Sequence, residues 1–191
     1  WEYPRVEFAE LYADFVIDLA DALHAKNKLL TVAVIGTKNK VTDDGDGAAY
    51  LDRALKAFDW INLMAYDYTS SNHSPFSAAQ QSVDYWIKQR GVSADKAVLG
   101  LPMYARPSWR SYQEIVNENP NYACQDEVTY KGIKDFYNGI VTIAKKTRFA
   151  LDNKLAGVMF WELEYDHADA KYSLVEAIVA EIKGESSNEC Q

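Results

Sequence analysis

The chain has 191 residues, of which 48% are apolar and 13% aromatic, so it can bury the core of one globular domain. Its formal net charge of -8 argues against a nucleic-acid partner, because binding a phosphate backbone needs a surplus of Lys and Arg on one face. No apolar run approaches the length of a membrane span, and the three histidines share no zinc-ligand spacing with each other or with Cys124.

The first predicted element is an amphipathic helix over residues 6–26. Its apolar positions, such as Leu11 and Phe15, recur every three or four residues, and Pro4 stands just before it, where a helix tolerates proline. Residues 29–35 then form a nearly continuous apolar run rich in β-branched side chains. Such a run is typical of a parallel strand that is buried on both faces.

The alternation of helix and strand continues to the end of the chain. Further predicted helices cover residues 48–58, 77–90, 138–151 and 173–183, and further strands cover 60–65, 97–101 and 156–161. Four strands that alternate with five helices predict βαβ units and the α/β fold class. Because the first helix needs a strand before it, we expect Trp1-Glu2 to end such a strand, with further sequence upstream.

Two segments and the two cysteines need a separate interpretation. The long connection over 105–137 is rich in polar residues and directly follows a strand, so we interpret it as one wall of a cleft with small elements of its own. The acidic run over 43–47 predicts a turn into the next helix, because it lacks the distal Glu of an EF-hand calcium loop. Cys124 and Cys190 are too few for a disulfide scaffold, although one bridge is possible.

Unusual side chains follow the predicted strands. The strand ends deliver Glu2, Tyr66-Asp67, Tyr104 with Arg106, and Trp161-Glu162. In a barrel of βα units, active-site residues lie at the carboxyl ends of the strands. A carboxylate, a phenol and an aromatic ring on one rim can bind a sugar and protonate a glycosidic oxygen.

Four motifs at these strand ends resemble family 18 of the glycoside hydrolases, the chitinase-type enzymes. They are Trp1-Glu2-Tyr3-Pro4, Met64-Ala65-Tyr66-Asp67, Gly100-Leu101-Pro102-Met103-Tyr104-Ala105-Arg106 and Gly157-Val158-Met159-Phe160-Trp161-Glu162. The resemblance implies a (β/α)8 TIM barrel, of which residues 1–184 supply roughly the end of strand 4 to helix 8, with a tail over 185–191. It also implies that the missing N-terminal half of the same barrel is a partner of this chain.

The resemblance assigns the catalytic roles to three residues. Glu2 resembles the general acid and base, and the nucleophile is the acetamido oxygen of the substrate itself. Tyr66 would donate its hydroxyl to that acetamido group, and Asp67 would hydrogen-bond the sugar in the same subsite. The acidic residues that precede the catalytic Glu in this family are not in this chain.

The remaining candidates are expected to bind the substrate. Trp161 would form the apolar floor beneath the reacting sugar, and Trp109 is a candidate for a neighbouring subsite. The other members of this set would line the same cleft: Met64, Tyr104 and Arg106. No metal and no cofactor are expected.

The predicted function is hydrolysis of β-1,4-linked N-acetylglucosamine polymers with retention of configuration, and the resemblance implies a secreted or cell-surface protein. Two alternatives remain open. One is a non-catalytic chitin or oligosaccharide binder on the same barrel. The other is a related hydrolase of peptidoglycan or of N-glycan chitobiose cores.

Overall fold

Four parallel strands form the main sheet of the protein. The computed structural model describes residues 1–36, 47–185 and 190. The strands lie in the order β1-β2-β3-β6, and their bounds are β1 Thr31–Ile35, β2 Trp60–Met64, β3 Ala97–Pro102 and β6 Gly157–Trp161. All three neighbouring pairs are parallel. This open sheet of βα units confirms the predicted α/β class and is consistent with part of a TIM barrel.

Helices follow the strands as predicted, with bounds that differ by a few residues. They are α1 Ala9–His24, α2 Asp52–Ala57, α3 Phe76–Val83, α5 Ile140–Asp152 and α6 Leu174–Lys183. The chain continues from α3 into a wider π-helical segment, Asp84–Gln89. Ser173 caps the start of α6, and Gly184 ends it in the left-handed conformation at φ 74°. These residues end the helix where the sequence predicts, because glycine adopts positive φ without a steric cost.

The hydrophobic core lies on the helical side of the sheet. Leu63 and Leu99 of the sheet belong to the core cluster. Its helical members include Val16 of α1, Trp86 of the π-helical segment and Ile143 of α5. The other side is less covered, since residues 62 and 64 of β2 are only partly buried.

The prediction that residues 29–35 are buried on both faces is wrong for β1. Val34 is the buried position of this strand, while Thr31 is exposed and the other three residues are partly buried. The reason is that helices cover one face of the sheet, and the described residues supply no matching layer for the opposite face.

The long connection over 105–137 carries small elements, as predicted. It contains α4 Tyr112–Glu118, a 3₁₀ turn over Pro120–Cys124 and an antiparallel hairpin of β4 Glu127–Tyr130 and β5 Ile133–Phe136. Ser111 and Glu114 form a capping box at the start of α4. A disulfide joins Cys124 to Cys190, so the bridge that the sequence left possible is formed.

The expected strand end at Trp1-Glu2 is absent. Residues 1–5 have no regular structure, because no neighbouring strand among the described residues offers them ladder hydrogen bonds. Trp1 instead packs edge-on against Tyr12, with ring centroids 5.5 Å apart. The predicted turn over 43–47 lies outside the described residues except for Gly47, as does most of the tail. No helix in the described ranges is long and apolar enough to span a membrane.

Candidate active site

A cavity of about 510 Å³ opens at the carboxyl ends of the parallel strands. Its wall includes seven of the eight residues that the sequence singles out: Glu2, Met64, Tyr66, Asp67, Tyr104, Trp109 and Trp161. Arg106 is not on the wall, but its guanidinium donates a hydrogen bond to Oδ1 of Asp67. The structure therefore brings the eight candidates together, although they are spread over 160 positions of sequence.

Asp67 lies at the centre of a hydrogen-bond network just beyond β2. Its Oδ2 accepts a hydrogen bond from the Tyr104 hydroxyl at 2.7 Å, and its Oδ1 accepts one from Arg106 at 2.9 Å. The backbone of Asp67 has φ 58°, a left-handed conformation that aspartate tolerates better than most residues. Burial tends to raise the pKa of this carboxyl, but hydrogen bonds from His73 and Tyr104 and the nearby charges outweigh burial and lower it. The side chain is thus held as a carboxylate.

Tyr66 lies two residues after the end of β2 and presents a neutral hydroxyl to the cavity. Burial raises the pKa of this phenol far above its usual value, and the negative charges of Asp67 and Glu2 raise it further. A phenol that stays protonated can donate a hydrogen bond at any physiological pH. The Tyr66 hydroxyl is therefore a hydrogen-bond donor in the cavity that it shares with Glu2 and Asp67.

Two glycines make room for the strand ends around this cavity. A Cβ on Gly100 of β3 would lie 2.5 Å from the carbonyl oxygen of Leu63 and 3.0 Å from the ring of Tyr66. A Cβ on Gly36 would lie 2.4 Å from the carbonyl oxygen of Met64. The absence of side chains at these positions lets neighbouring strands and the Tyr66 ring pack closely.

Two tryptophans supply apolar rings at the rim. Trp161 ends β6 and is 56% exposed, so one part of its indole faces the cavity without protein cover. Trp109 is 57% exposed and has φ 66°. Its ring stacks on Tyr104 with centroids 5.5 Å apart, and the guanidinium of Arg106 lies 3.7 Å from its centroid. Exposed aromatic faces of this kind suit the apolar faces of sugar rings.

The β4–β5 hairpin fixes Arg106. The backbone amide of Arg106 donates to the carbonyl of Phe136 at 2.9 Å, and the amide of Phe136 donates back at 2.8 Å. The long connection thereby holds the guanidinium against Asp67. This contact is consistent with its interpretation as a wall of the cleft.

His73 belongs to the same network, although no sequence motif predicted it. It is fully buried, and its ring nitrogens contact Asp67 and the carbonyl oxygen of Tyr104. The residue lies in a polar loop after β2. A histidine in such a loop, without metal-ligand spacing, would be predicted to be exposed to solvent. Among residues 1–36, 47–185 and 190, no three His, Cys, Asp or Glu side chains form a group that could hold a metal ion.

Comparison with known proteins gives one consistent result. The sequence model of Glycosyl hydrolases family 18 matches residues 1–166. Chitotriosidase-1 of Mus musculus is 25% identical over 87% of this chain and 48% of its own length. The chain spans about half the length of the curated relatives it matches.

Solved structures agree in fold. A chitinase from Bacteroides thetaiotaomicron superposes with a TM-score of 0.73 at 27% identity, covering 95% of this chain and 60% of that one. A chitinase-like agglutinin from Robinia pseudoacacia superposes with a TM-score of 0.75 at 23% identity, covering 95% of this chain and 66% of that one. The second likeness concerns the fold alone.

Proposed function

We propose that this chain, which belongs to family 18 of the glycosyl hydrolases, carries the reactive side of an enzyme that hydrolyses β-1,4-linked N-acetylglucosamine polymers. The observation that carries the proposal is the shared cavity of Glu2, Tyr66, Asp67 and Trp161 at the strand ends. It combines a proton donor, a neutral hydroxyl, a fixed carboxylate and an apolar floor.

Glu2 acts as general acid and then as general base in this proposal. It gives its proton to the leaving-group oxygen as the bond from that oxygen to C1 breaks, while the acetamido oxygen of the same sugar forms a bond to C1. Glu2 then takes a proton from water as the water oxygen bonds to C1 and the acetamido oxygen leaves. Two inversions at C1 give overall retention, and Glu2 ends protonated as it began.

Tyr66 and Asp67 orient the acetamido group and the sugar that bears it. Burial and the charge of Asp67 keep the Tyr66 hydroxyl protonated, so it is available as a donor to the acetamido oxygen. Asp67 is held by Tyr104 and Arg106 and accepts hydrogen bonds from the substrate. Fixed orientation lowers the barrier, because the entropy of bringing the reacting atoms together is lost on binding rather than in the chemical step.

The aromatic and apolar side chains bind the sugar rings. Trp161 forms the floor of the subsite at the reacting sugar, and Met64 lines the same wall. Trp109 lies further along the rim and contributes to a neighbouring subsite, with its indole supported by Arg106.

The other half of the barrel is the partner that we propose for this chain. Support comes from the apolar surface of α1 and the loop after it, where Leu11 is 67%, Phe15 50% and Leu29 59% exposed. Among the described residues, β1 and β6 also have no further strand paired to them at the two edges of the sheet. Exposed apolar patches and open strand edges promote aggregation, and a closed barrel removes both.

A location outside the cell or on its surface fits the same proposal. The bridge between Cys124 and Cys190 supports it, because disulfides persist in oxidising compartments.

Product analysis tests the function. With the complete barrel protein, chitooligosaccharides should be cleaved, and NMR of the first products should show the β anomer that retention requires. Initial formation of the α anomer would contradict the mechanism. Tight binding without cleavage would favour an oligosaccharide binder, and cleavage of peptidoglycan or of the chitobiose core in preference to chitin would favour the related hydrolases.

A further inference from the structure

His73 joins the ends of two strands from a fully buried position. Its Nε2 lies 3.1 Å from the carbonyl oxygen of Tyr104, beyond β3. Its Nδ1 accepts a hydrogen bond from the backbone amide of Asp67 at 3.4 Å and lies 3.2 Å from Oδ1 of the same residue, beyond β2. The carbonyl of His73 accepts a hydrogen bond from the amide of Tyr68 at 3.1 Å, which closes the loop onto the same turn.

The partners of the ring determine how it is used. A carbonyl oxygen can only accept, so Nε2 must donate to Tyr104. Nδ1 faces both the backbone amide and the carboxylate of Asp67, so the ring meets this residue at two points. The ring is also in aromatic contact with Tyr104, with centroids 5.0 Å apart. Both nitrogens and one edge of the ring are therefore engaged with the two residues that flank the cavity.

We propose that His73 is a positioning residue for the reaction: it fixes the Asp67 carboxylate and the Tyr104 backbone relative to each other, so that Asp67 faces the substrate in one orientation. This inference rests on the proposed function, because it concerns the same subsite. His73 does not line the cavity itself and acts through Asp67.

The charged and titratable groups around Asp67 define what the loss of His73 should do. His73, Tyr104 and Arg106 contact the carboxylate, and the phenols of Tyr66 and Tyr3 lie within its field. The hydrogen bond from His73 is one of the effects that keep the pKa of Asp67 low against burial. Without it, the pKa of Asp67 should rise.

Two substitutions separate the two contacts of the ring. In His73→Asn the side-chain amide can take the place of Nδ1 and still donate to Asp67. In His73→Gln it can take the place of Nε2 and still donate to Tyr104. His24→Gln is a matched control, because His24 pairs with Asp59 at 2.9 Å on the surface, away from the cavity.

The kinetic experiment compares these variants in the complete barrel protein on a chitooligosaccharide. His73→Gln should lower kcat about tenfold or more with little change in KM, and should move the acid limb of the kcat/KM profile up by about half a unit to one unit. His73→Asn should stay within about threefold of the wild type with its acid limb unmoved. His24→Gln should change neither quantity.

A second measurement does not depend on turnover or on the folding of a His73 variant. In protein labelled with ¹⁵N at histidine, Asp67→Asn should shift the ring-nitrogen signals of His73 and leave those of His24 in place. If His73 does not respond, the positioning contact is absent and the proposal fails. Equal losses in His73→Gln and His73→Asn with an unmoved acid limb would also overturn it, because they would indicate a purely structural role.

The two proposals fail in different ways. A wild-type protein that cleaves no chitooligosaccharide would overturn the proposed function, while a response of His73 in the NMR experiment would still support its contact with Asp67. A wild-type protein that cleaves chitooligosaccharides, with His73→Gln as active as wild type at every pH, would overturn the positioning role alone.

Discussion

Tyr104 donates its phenolic hydrogen to Oδ2 of Asp67 at 2.7 Å. Asp67 follows β2 and Tyr104 follows β3, so this one hydrogen bond ties together two neighbouring strand ends at the rim of the cavity. A substitution that removes the Tyr104 hydroxyl should therefore change both the pKa and the orientation of the Asp67 carboxylate.

Tyr104→Phe tests that coupling through stability. Because the pKa of Asp67 is lower in the folded protein than in the unfolded chain, its stabilising contribution is present above the unfolded pKa and is lost as pH falls through the folded one. The variant should lose about 0.5–1.5 kcal/mol of unfolding free energy at pH 7, and the difference should shrink below pH 4, approximately the usual pKa of aspartate. Urea titrations at several pH values measure this. A difference that grows toward acid would contradict it, and Tyr130→Phe on the hairpin serves as control.

Glu2→Gln tests the proton transfer. The amide keeps the shape of the carboxyl group but cannot give or take the proton, so kcat should fall by about three orders of magnitude or more while oligosaccharide binding stays within a few fold. Glu7→Gln is the matched control, since Glu7 is an exposed neighbour five positions along the chain. Steady-state rates and calorimetric binding decide the outcome. A Glu2→Gln protein that retains most of its turnover would remove Glu2 from the mechanism.

Gly100→Ala tests the close packing beneath Tyr66. The added methyl group would meet the Leu63 carbonyl and the Tyr66 ring, so we expect a loss of about 1–3 kcal/mol in stability together with reduced turnover. Gly157→Ala, in β6, adds a methyl group that meets nothing within 4 Å and should change stability by less than about 1 kcal/mol. Thermal unfolding of both variants gives the comparison. Equal effects would mean that the approach of Gly100 to Tyr66 is unimportant.

Lys146→Met tests a buried amino group on α5. Lys146 is fully buried and donates to the Ser74 carbonyl at 2.7 Å and to Asn138 at 2.6 Å. Burial lowers its pKa to about 7, opposed by the charge of Asp126. The folded pKa is thus below the unfolded one, so folding releases a proton between about pH 7 and the usual pKa of lysine, and stability rises with pH across that range.

The stability of the wild type should therefore rise between pH 7 and pH 9.5, and that of Lys146→Met should rise by about 2–3 kcal/mol less over the same range. Denaturant unfolding of both proteins at several pH values measures the difference, in which the ionisation of tyrosines common to both cancels. Parallel curves would show that Lys146 stays charged in the folded protein.

Much of the fold could be predicted because each element has a local sequence signal. The spacing of apolar residues predicts α1, and the glycine after α6 predicts where that helix ends. Short apolar runs predict the strands. The rim residues followed from one rule, that chemistry lies at the carboxyl ends of parallel strands. Tyr66, Asp67 and Trp161 all end a strand or lie shortly after one, and the structure places them on one wall.

What the sequence missed depends on contacts between distant segments. His73 joins the network through the carbonyl of Tyr104, 31 positions away, and no local pattern marks such a contact. The pairing of Cys124 with Cys190 was only one possibility for the same reason. The strand β1 has the composition of a doubly buried strand, but the described residues place no layer against its second face, and composition alone does not show this.

The acetamido group of the substrate is the proposed nucleophile, and the most direct test of its role compares two substrates. The complete wild-type protein is given a fully acetylated chitooligosaccharide and its fully deacetylated counterpart, and kcat/KM is measured for each. In the proposed mechanism Tyr66 and Asp67 orient a nucleophile that the substrate supplies, so the acetylated chain should be preferred by about a thousandfold or more. Equal values of kcat/KM for the two substrates would show that the acetamido group is not the nucleophile and would contradict the proposed mechanism.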